Sequence, residues 1–353
     1  MVAISENTNV IDTSLLLTPR NLKQRFPADE ALINSVIIHR ETIQDILDGR
    51  IKRFITIIGP CSMRSYEEVM EYARWMRKLM DKFPELFFII RLCPDKPRSG
   101  RGWPGFAGDP FMDDSCDMNF GLSETRRIFV DVAKLGIPIA MEAYGFSTIH
   151  YLSDIVSYAW IGARTVTDGN HRKMASGLSM LVGFKNRDDG AVTPAIAAID
   201  TANHPHYFPG IDDDARLARQ HGKGNKYAHL ILRGGANPNH DEASIRDAHA
   251  QLKKAGLRES ILIDANHGNS GKKPERQKDI VLSVADLKLA GFDCVMGVIV
   301  ESDILGGAHQ KFPNHASKRT YGLSVTDACL SIPDSDVLVE ELARKFSSKF
   351  VEV

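Results

Sequence analysis

The chain has 353 residues, 43% of them hydrophobic and 25% charged, and its 44 Lys+Arg and 45 Asp+Glu leave a formal net charge of −1. That is the balance of a soluble globular protein, long enough for one large domain or two ordinary ones, with no global pull toward nucleic acid or a membrane. The opening "MVAISENTNVIDTSLLLTPR" makes a poor signal peptide, no apolar run would span a bilayer, and five scattered cysteines without a CxxC favour reduced thiols in the cytoplasm.

Residues 1–50 differ from the rest. Two helical patterns are separated by Pro27, with Pro19 and Asp29 as start signals, and they read as an N-terminal extension to a main unit over residues 51–353. From Arg53 onward short apolar runs recur: "FITIIG", "FFIIRL", "IPIAME", "WIGAR", "MLVGFK", "HLILRG", "ILIDAN" and "CVMGVIVES". Amphipathic stretches such as "SYEEVMEYARWMRKLMDKF", "ETRRIFVDVAKLG" and "DEASIRDAHAQLKKAG" lie between them. Continuous apolar runs suit strands buried on both faces, and their alternation with helices means parallel βα units. About eight such units predict an α/β fold of the (β/α)8 TIM-barrel class. A doubly wound open sheet with an appended domain is the runner-up, weakened by the absence of GxGxxG after the first strand.

In a barrel the active site lies at the C-terminal strand ends. Those ends carry Cys61, Arg91, Glu142, Arg164, Lys185, Arg233, His267 and Glu301, with Lys96 and Arg98 just beyond the second. Each alone is ordinarily a surface ion pair or a satisfied core group; eight in succession point to one reactive mouth. Gathered cations repel one another and resist desolvation, so they make sense around phosphate or carboxylate. The competing structural explanation is a ring of ion pairs to Asp95, Asp109 and other loop acids. Cys61, His267 and Glu301, with an acid such as Asp327, form a soft-plus-hard donor set suited to a divalent transition metal.

Several motifs then occur together and in order: "IIGPCS", "DKPRSxxGWxG", "GART", "HRxxASGLSxxVGFKN", "ILRGG", "HxNSxK" and "VES", preceded by "LLxPxxLxxxFP". Over almost its whole length the chain resembles type I 3-deoxy-D-arabino-heptulosonate 7-phosphate (DAHP) synthase, the entry enzyme of the shikimate pathway. The resemblance implies a cytoplasmic barrel enzyme that joins phosphoenolpyruvate to erythrose 4-phosphate and releases phosphate, with a divalent metal (Mn, Fe, Co or Zn). It implies metal ligands at Cys61, His267, Glu301 and Asp327, phosphoenolpyruvate contacts at Arg91, Lys96, Arg164, Lys185 and Arg233, and aldose-phosphate contacts at Arg98 and Ser99, near Lys96 and Asp327. Lys96 is the expected proton donor, its pKa lowered by neighbouring cations, and Glu142 the candidate for activating water. A homodimer or homotetramer is implied, with no nucleic-acid or membrane partner.

Departures from the family pattern gather near the aldose side. Cys93-Pro94-Asp95 replaces Tyr-Phe-Glu, Ser99-Gly100 replaces two threonines, Asp303 stands where the pattern has histidine, and Ser331-Ile332 replaces Gly-Trp. A paralogue using another aldose phosphate, and a catalytically silent sugar-phosphate or metal-binding barrel, are the alternatives. Gly145, Ile149 and Gly210 replace an acid, a proline and a serine of the family's effector pocket, while Leu178 and Ser179 remain; weak or absent inhibition by phenylalanine or tyrosine is expected.

Overall fold

The predicted start signals Pro19 and Asp29 open the first two helices, Pro19 as the first residue of α1 behind an N-cap at Thr18. The Thr18 hydroxyl accepts from the Asn21 N–H while the Asn21 side chain accepts from the Thr18 N–H, opening α1 (Pro19–Arg25). The Asp29 carboxylate accepts from the Leu32 N–H at 2.8 Å and opens α2 (Glu30–Leu47). Such caps each stabilise a helix start by about 1 kcal/mol.

The computed structural model describes residues 6–98, 100–145 and 148–350. Beyond the extension come β1 (Phe54–Gly59), α3 (Tyr66–Lys82), β2 (Leu86–Arg91), α4 (Met118–Lys134), β3 (Ile139–Glu142) and α5 (Thr148–Leu152). They are followed by β4 (Tyr158–Ile161), α6 (Gly169–Ala175), β5 (Leu181–Lys185) and α7 (Thr193–Asn203). After β6 (His206–Ile211) and β7 (Leu217–Gly222) the series resumes with β8 (His229–Leu232), α8 (Glu242–Lys254), β9 (Ile261–Asp264), α9 (His267–Ser270), α10 (Gln277–Leu289), β10 (Val295–Glu301) and α11 (Ile332–Phe350).

Eight of these strands close a parallel barrel in the order β1-β10-β9-β8-β5-β4-β3-β2, so the open-sheet alternative falls. Every predicted apolar run supplies one of them. The antiparallel β6–β7 hairpin was not anticipated. Its residues alternate between buried (Phe208, Gly210) and exposed (Tyr207, Pro209), and it contains no continuous apolar run to mark it.

Two apolar layers hold the barrel. Ile55, Ile57, Phe87, Ile89, Trp160 and Leu262 belong to an interior cluster that also takes in Ile43, Ile46 and Leu47 of α2, which thereby covers the barrel floor. Alternate strand residues such as Ile58, Phe88, Val182 and Val298 pack outward against the helices. Each such side chain contributes roughly 1.5–3 kcal/mol by leaving water. The closure brings chain ends together: in register Gly59 lies beside Glu301, two residues before Cys61. Among the described residues no helix is long and apolar enough to cross a membrane.

Candidate active site

All eight strand-end residues named from the sequence stand at the C-terminal rim: Arg91, Glu142, Lys185 and Glu301 close their strands, and Cys61, Arg164, Arg233 and His267 follow within three residues. Cys61 is buried, and one donor atom each from Cys61, Glu301 and Asp327 lie within 4.8 Å of one another. His267 is not in that group, but its Nε2 is 4.0 Å from Glu301 Oε1. Its Nδ1 is turned to Asp264 Oδ2 at 3.0 Å, an outer carboxylate of the kind that orients a metal-ligating imidazole. Asp264 went unremarked in the sequence, although "ILIDAN" ends a strand on an acid.

The cations are less free than their sequence positions implied. Arg91 Nη2 lies 2.8 Å from Glu301 Oε1 and its Nη1 donates to the Pro60 carbonyl; Lys185 Nζ lies 2.6 Å from Asp264 Oδ2. The carboxylates opposing them are therefore strand-end acids, not the loop acids Asp95 and Asp109. Both cations also stand over the Trp160 ring, at 5.6 and 5.2 Å, where its π face offers further stabilisation. Burial would push the Asp264 carboxyl up, but His267 and Lys185 together hold it well below the usual range. Half-buried Arg233 has no carboxylate within ion-pair distance among the described residues. Arg164 is exposed at the rim, and Arg98 Nε donates to the Trp103 carbonyl at 3.2 Å. Ser99 lies outside the described residues.

Lys96 Nζ donates to the Cys61 carbonyl at 3.0 Å and to Cys61 Sγ at 3.3 Å. Its pKa is raised, contrary to the lowering expected from its cationic neighbours. Burial pulls it down and Arg91 does too, but Cys61, Cys93 and Glu301 outweigh them. Cys61 is itself pushed up, by burial first and Glu301 second, against Lys96 and Arg91. Asp327 is held low: burial opposes ionisation, while Lys272, His267 and Lys96 favour it. Glu142 folds over Gly162, where an added Cβ would meet its Oε1 at 2.0 Å, so any larger residue there would displace the carboxylate.

These donors fit a divalent metal. Glu301 Oε1 is buried with no hydrogen bond among the described residues besides its ion pair with Arg91; a thiol and two carboxylates gather there, and the His267 imidazole stands 4.0 Å from Glu301. The effector-pocket positions are only partly assembled: Ile149, Leu178 and Ser179 line a cavity of about 390 Å³ with Met174, Phe208 and Gln220. Gly145 and Gly210 are not among its lining residues.

A closed parallel barrel with buried cations and side chains able to ligate a metal gathered at its C-terminal mouth defines a (β/α)8-barrel enzyme. The chain belongs to the DAHP synthetase I family, whose model matches residues 29–340. It is 38% identical over 344 residues to the Tyr-sensitive phospho-2-dehydro-3-deoxyheptonate aldolase of Salmonella typhimurium, covering 97% of this chain and 96% of that protein. It is 36% identical over 346 residues to the Phe-sensitive enzyme of Escherichia coli strain K12, covering 98% of each. A solved structure of phospho-2-dehydro-3-deoxyheptonate aldolase from Francisella tularensis superposes with a TM-score of 0.92 at 33% identity, over 96% of this chain and 99% of that one.

Proposed function

We propose that this barrel condenses phosphoenolpyruvate with erythrose 4-phosphate to give 3-deoxy-D-arabino-heptulosonate 7-phosphate and inorganic phosphate, the first step of aromatic amino acid biosynthesis. The observation that carries the reading is the meeting, at one mouth, of the Cys61–Glu301–Asp327 donors with Lys96, Arg91 and Lys185. Cys61, His267, Glu301 and Asp327 would hold the metal. When bound there, a divalent ion supplies Lewis-acid polarisation of an aldehyde oxygen.

The chain's own residues account for the other steps. Arg91, Lys96, Arg164, Lys185 and Arg233 hold the phosphate and carboxylate of phosphoenolpyruvate, removing much of the entropic cost of a bimolecular carbon–carbon bond. The nucleophilic C3 adds to the aldehyde carbon, and Lys96 gives its proton to the forming alkoxide. Because its pKa is raised, Lys96 is fully an ammonium at neutral pH and also stabilises the negative charge directly. Glu142 takes a proton from the water that attacks C2, and the resulting hemiketal phosphate expels phosphate. Arg98 binds the aldose phosphate, and Ser99 next to it in the chain supplies a hydroxyl for the same group. One observation favours a different aldose as the second reading: Gly100, exposed and with no side chain to offer a substrate, stands where the family pattern has a threonine.

Five unpaired cysteines support a reducing compartment, the cytoplasm. The exposed Ile33, Ile37 and Ile38 on α2 support a homodimer or homotetramer. The deciding experiment is phosphate release from phosphoenolpyruvate plus erythrose 4-phosphate by metal-reconstituted full-length protein, beside Cys61→Ala. Metal-dependent turnover lost in the variant supports the reading. Phosphoenolpyruvate binding without turnover transfers it to another aldose phosphate, and binding of neither substrate nor metal removes it. Inhibition by phenylalanine or tyrosine is expected to be weak or absent, and inhibition at low micromolar concentration would overturn that expectation.

A further inference from the structure

Behind the donor group lies a set of charges that the proposed reaction does not use. Arg64, Glu68 and Asp303 have side chains only 1–3% exposed, and Arg319 completes the set at 12%. Arg64 grips Asp303 with both ends of its fork, at 2.7 and 2.8 Å, and its Nε lies 3.2 Å from Glu68 Oε2. Glu68 Oε1 accepts from Arg319 and, at 2.6 Å, from the Gly322 N–H. The signs alternate and cancel.

The hydrogen bonds around this set run to the segments that carry Cys61, Glu301 and Asp327. Arg64 Nη1 donates to the carbonyl of Ser62, the residue after Cys61. The Ser62 hydroxyl is 3.0 Å from that of Thr326, the residue before Asp327. Asp303 follows Glu301 by two; its N–H donates to the Leu330 carbonyl at 2.8 Å, and the Leu330 N–H returns to the Glu301 carbonyl at 3.0 Å. A buried ion pair is a poor source of stability, since apolar residues of similar volume do as well or better. What a forked, two-point contact adds is direction. Asp303 stands where the family pattern noted in the sequence has histidine, so this clamp belongs to the chain's own sequence.

We propose that the Arg64–Asp303 pair, braced by Glu68 and Arg319, is a positioning device that fixes the Cys61, Glu301 and Asp327 loops at metal-binding spacing. The proposal rests on the metal-site reading above. The test uses full-length protein and Co2+ alone, reading the thiolate-to-cobalt absorption band and the affinity by chelator competition. The wild type is expected to show a band that Cys61→Ala lacks. Replacing both partners, Arg64→Met with Asp303→Leu, leaves no unpaired buried charge; that variant is expected to fold with near-wild-type circular dichroism yet bind Co2+ about ten- to a hundredfold more weakly with a diminished band.

Wild-type affinity and band in the folded double variant would overturn the inference and leave the metal site standing. A wild type that binds no Co2+ would remove the metal reading and the inference with it. Should the double variant not fold, Arg64→Lys, which keeps the charge but loses the fork, carries the same test: at least tenfold weaker Co2+ binding supports the clamp, and unchanged binding overturns it.

Discussion

The two ends of the barrel carry the same kinds of side chain and put them to different use. The floor, where the strands begin, opens on a hollow of about 1470 Å³ bounded by Lys52, Arg53, Arg258, Glu259 and Asp293. Its charges pair at or near the surface: Arg258 lies 2.8 Å from Asp48, with both side chains about one-fifth exposed, and Lys288 lies 3.9 Å from Asp293, whose side chain is 95% exposed. At the mouth, Arg91–Glu301 and Lys185–Asp264 are at most 5% exposed, and Glu301 lies beside the buried Cys61 thiol. What separates the two ends is desolvation. A charge that water already solvates has little to gain from a substrate, whereas one held in a poorly solvated site acts strongly on any charge that develops beside it.

That contrast breaks first at Lys96. Lys96→Met is expected to lower kcat for phosphate release by roughly 10²–10⁴-fold while Co2+ binding persists; a loss under tenfold would remove Lys96 from proton transfer. Arg91→Met, which leaves Glu301 buried without its cation, is expected to cost about 3–5 kcal/mol in denaturant unfolding of the metal-free protein and to weaken phosphoenolpyruvate binding.

The floor has one buried titratable pair of its own. The His229 Nδ1–H donates to the Tyr227 carbonyl, so Nε2 accepts from the Tyr158 hydroxyl at 2.8 Å, and burial lowers the imidazole pKa to about 4. The folded state thus keeps His229 neutral while the unfolded chain takes up a proton near pH 6.5. Its contribution is complete above about pH 6.5 and is lost as pH falls to about 4, up to ~3 kcal/mol in all. Unfolding free energies measured from pH 7 to 4 should therefore fall more steeply in the wild type than in His229→Gln. The smallest effect belongs to the floor rim: Arg258→Ala is expected to cost about 1 kcal/mol or less and to leave turnover unchanged. A large loss of turnover there would dissolve the distinction between the two ends.

The site was readable in the sequence as far as strand ends were readable. Cys61 after "FITIIG" and Glu301 at the end of "GVIVE" announce themselves because a buried strand leaves an apolar run and its end stands out. The β6–β7 hairpin left no such trace, because a half-exposed ribbon alternates in burial and its Pro209 argues against a strand. Nor did Asp264, although it ends a strand: its role becomes plain only beside His267 and Lys185. The direction of the Lys96 shift was misread for a related reason. Counting cations nearby in sequence omits Cys61, 35 residues away, and Glu301, which reach it only in the folded barrel.

By itself, then, the sequence determined the eight-stranded plan, the helix starts at Pro19 and Asp29, and the residue types at the rim. Those depend on periodicity and local hydrogen bonding, which act over a few residues. The tertiary structure decided which charge answers which: Arg91 with Glu301, Lys185 with Asp264, Arg64 with Asp303. Partners 79 to 239 residues apart are chosen by how the barrel strands pair, β10 against β1 and β8 between β5 and β9, and a group's charge and direction depend on how much water that packing removes.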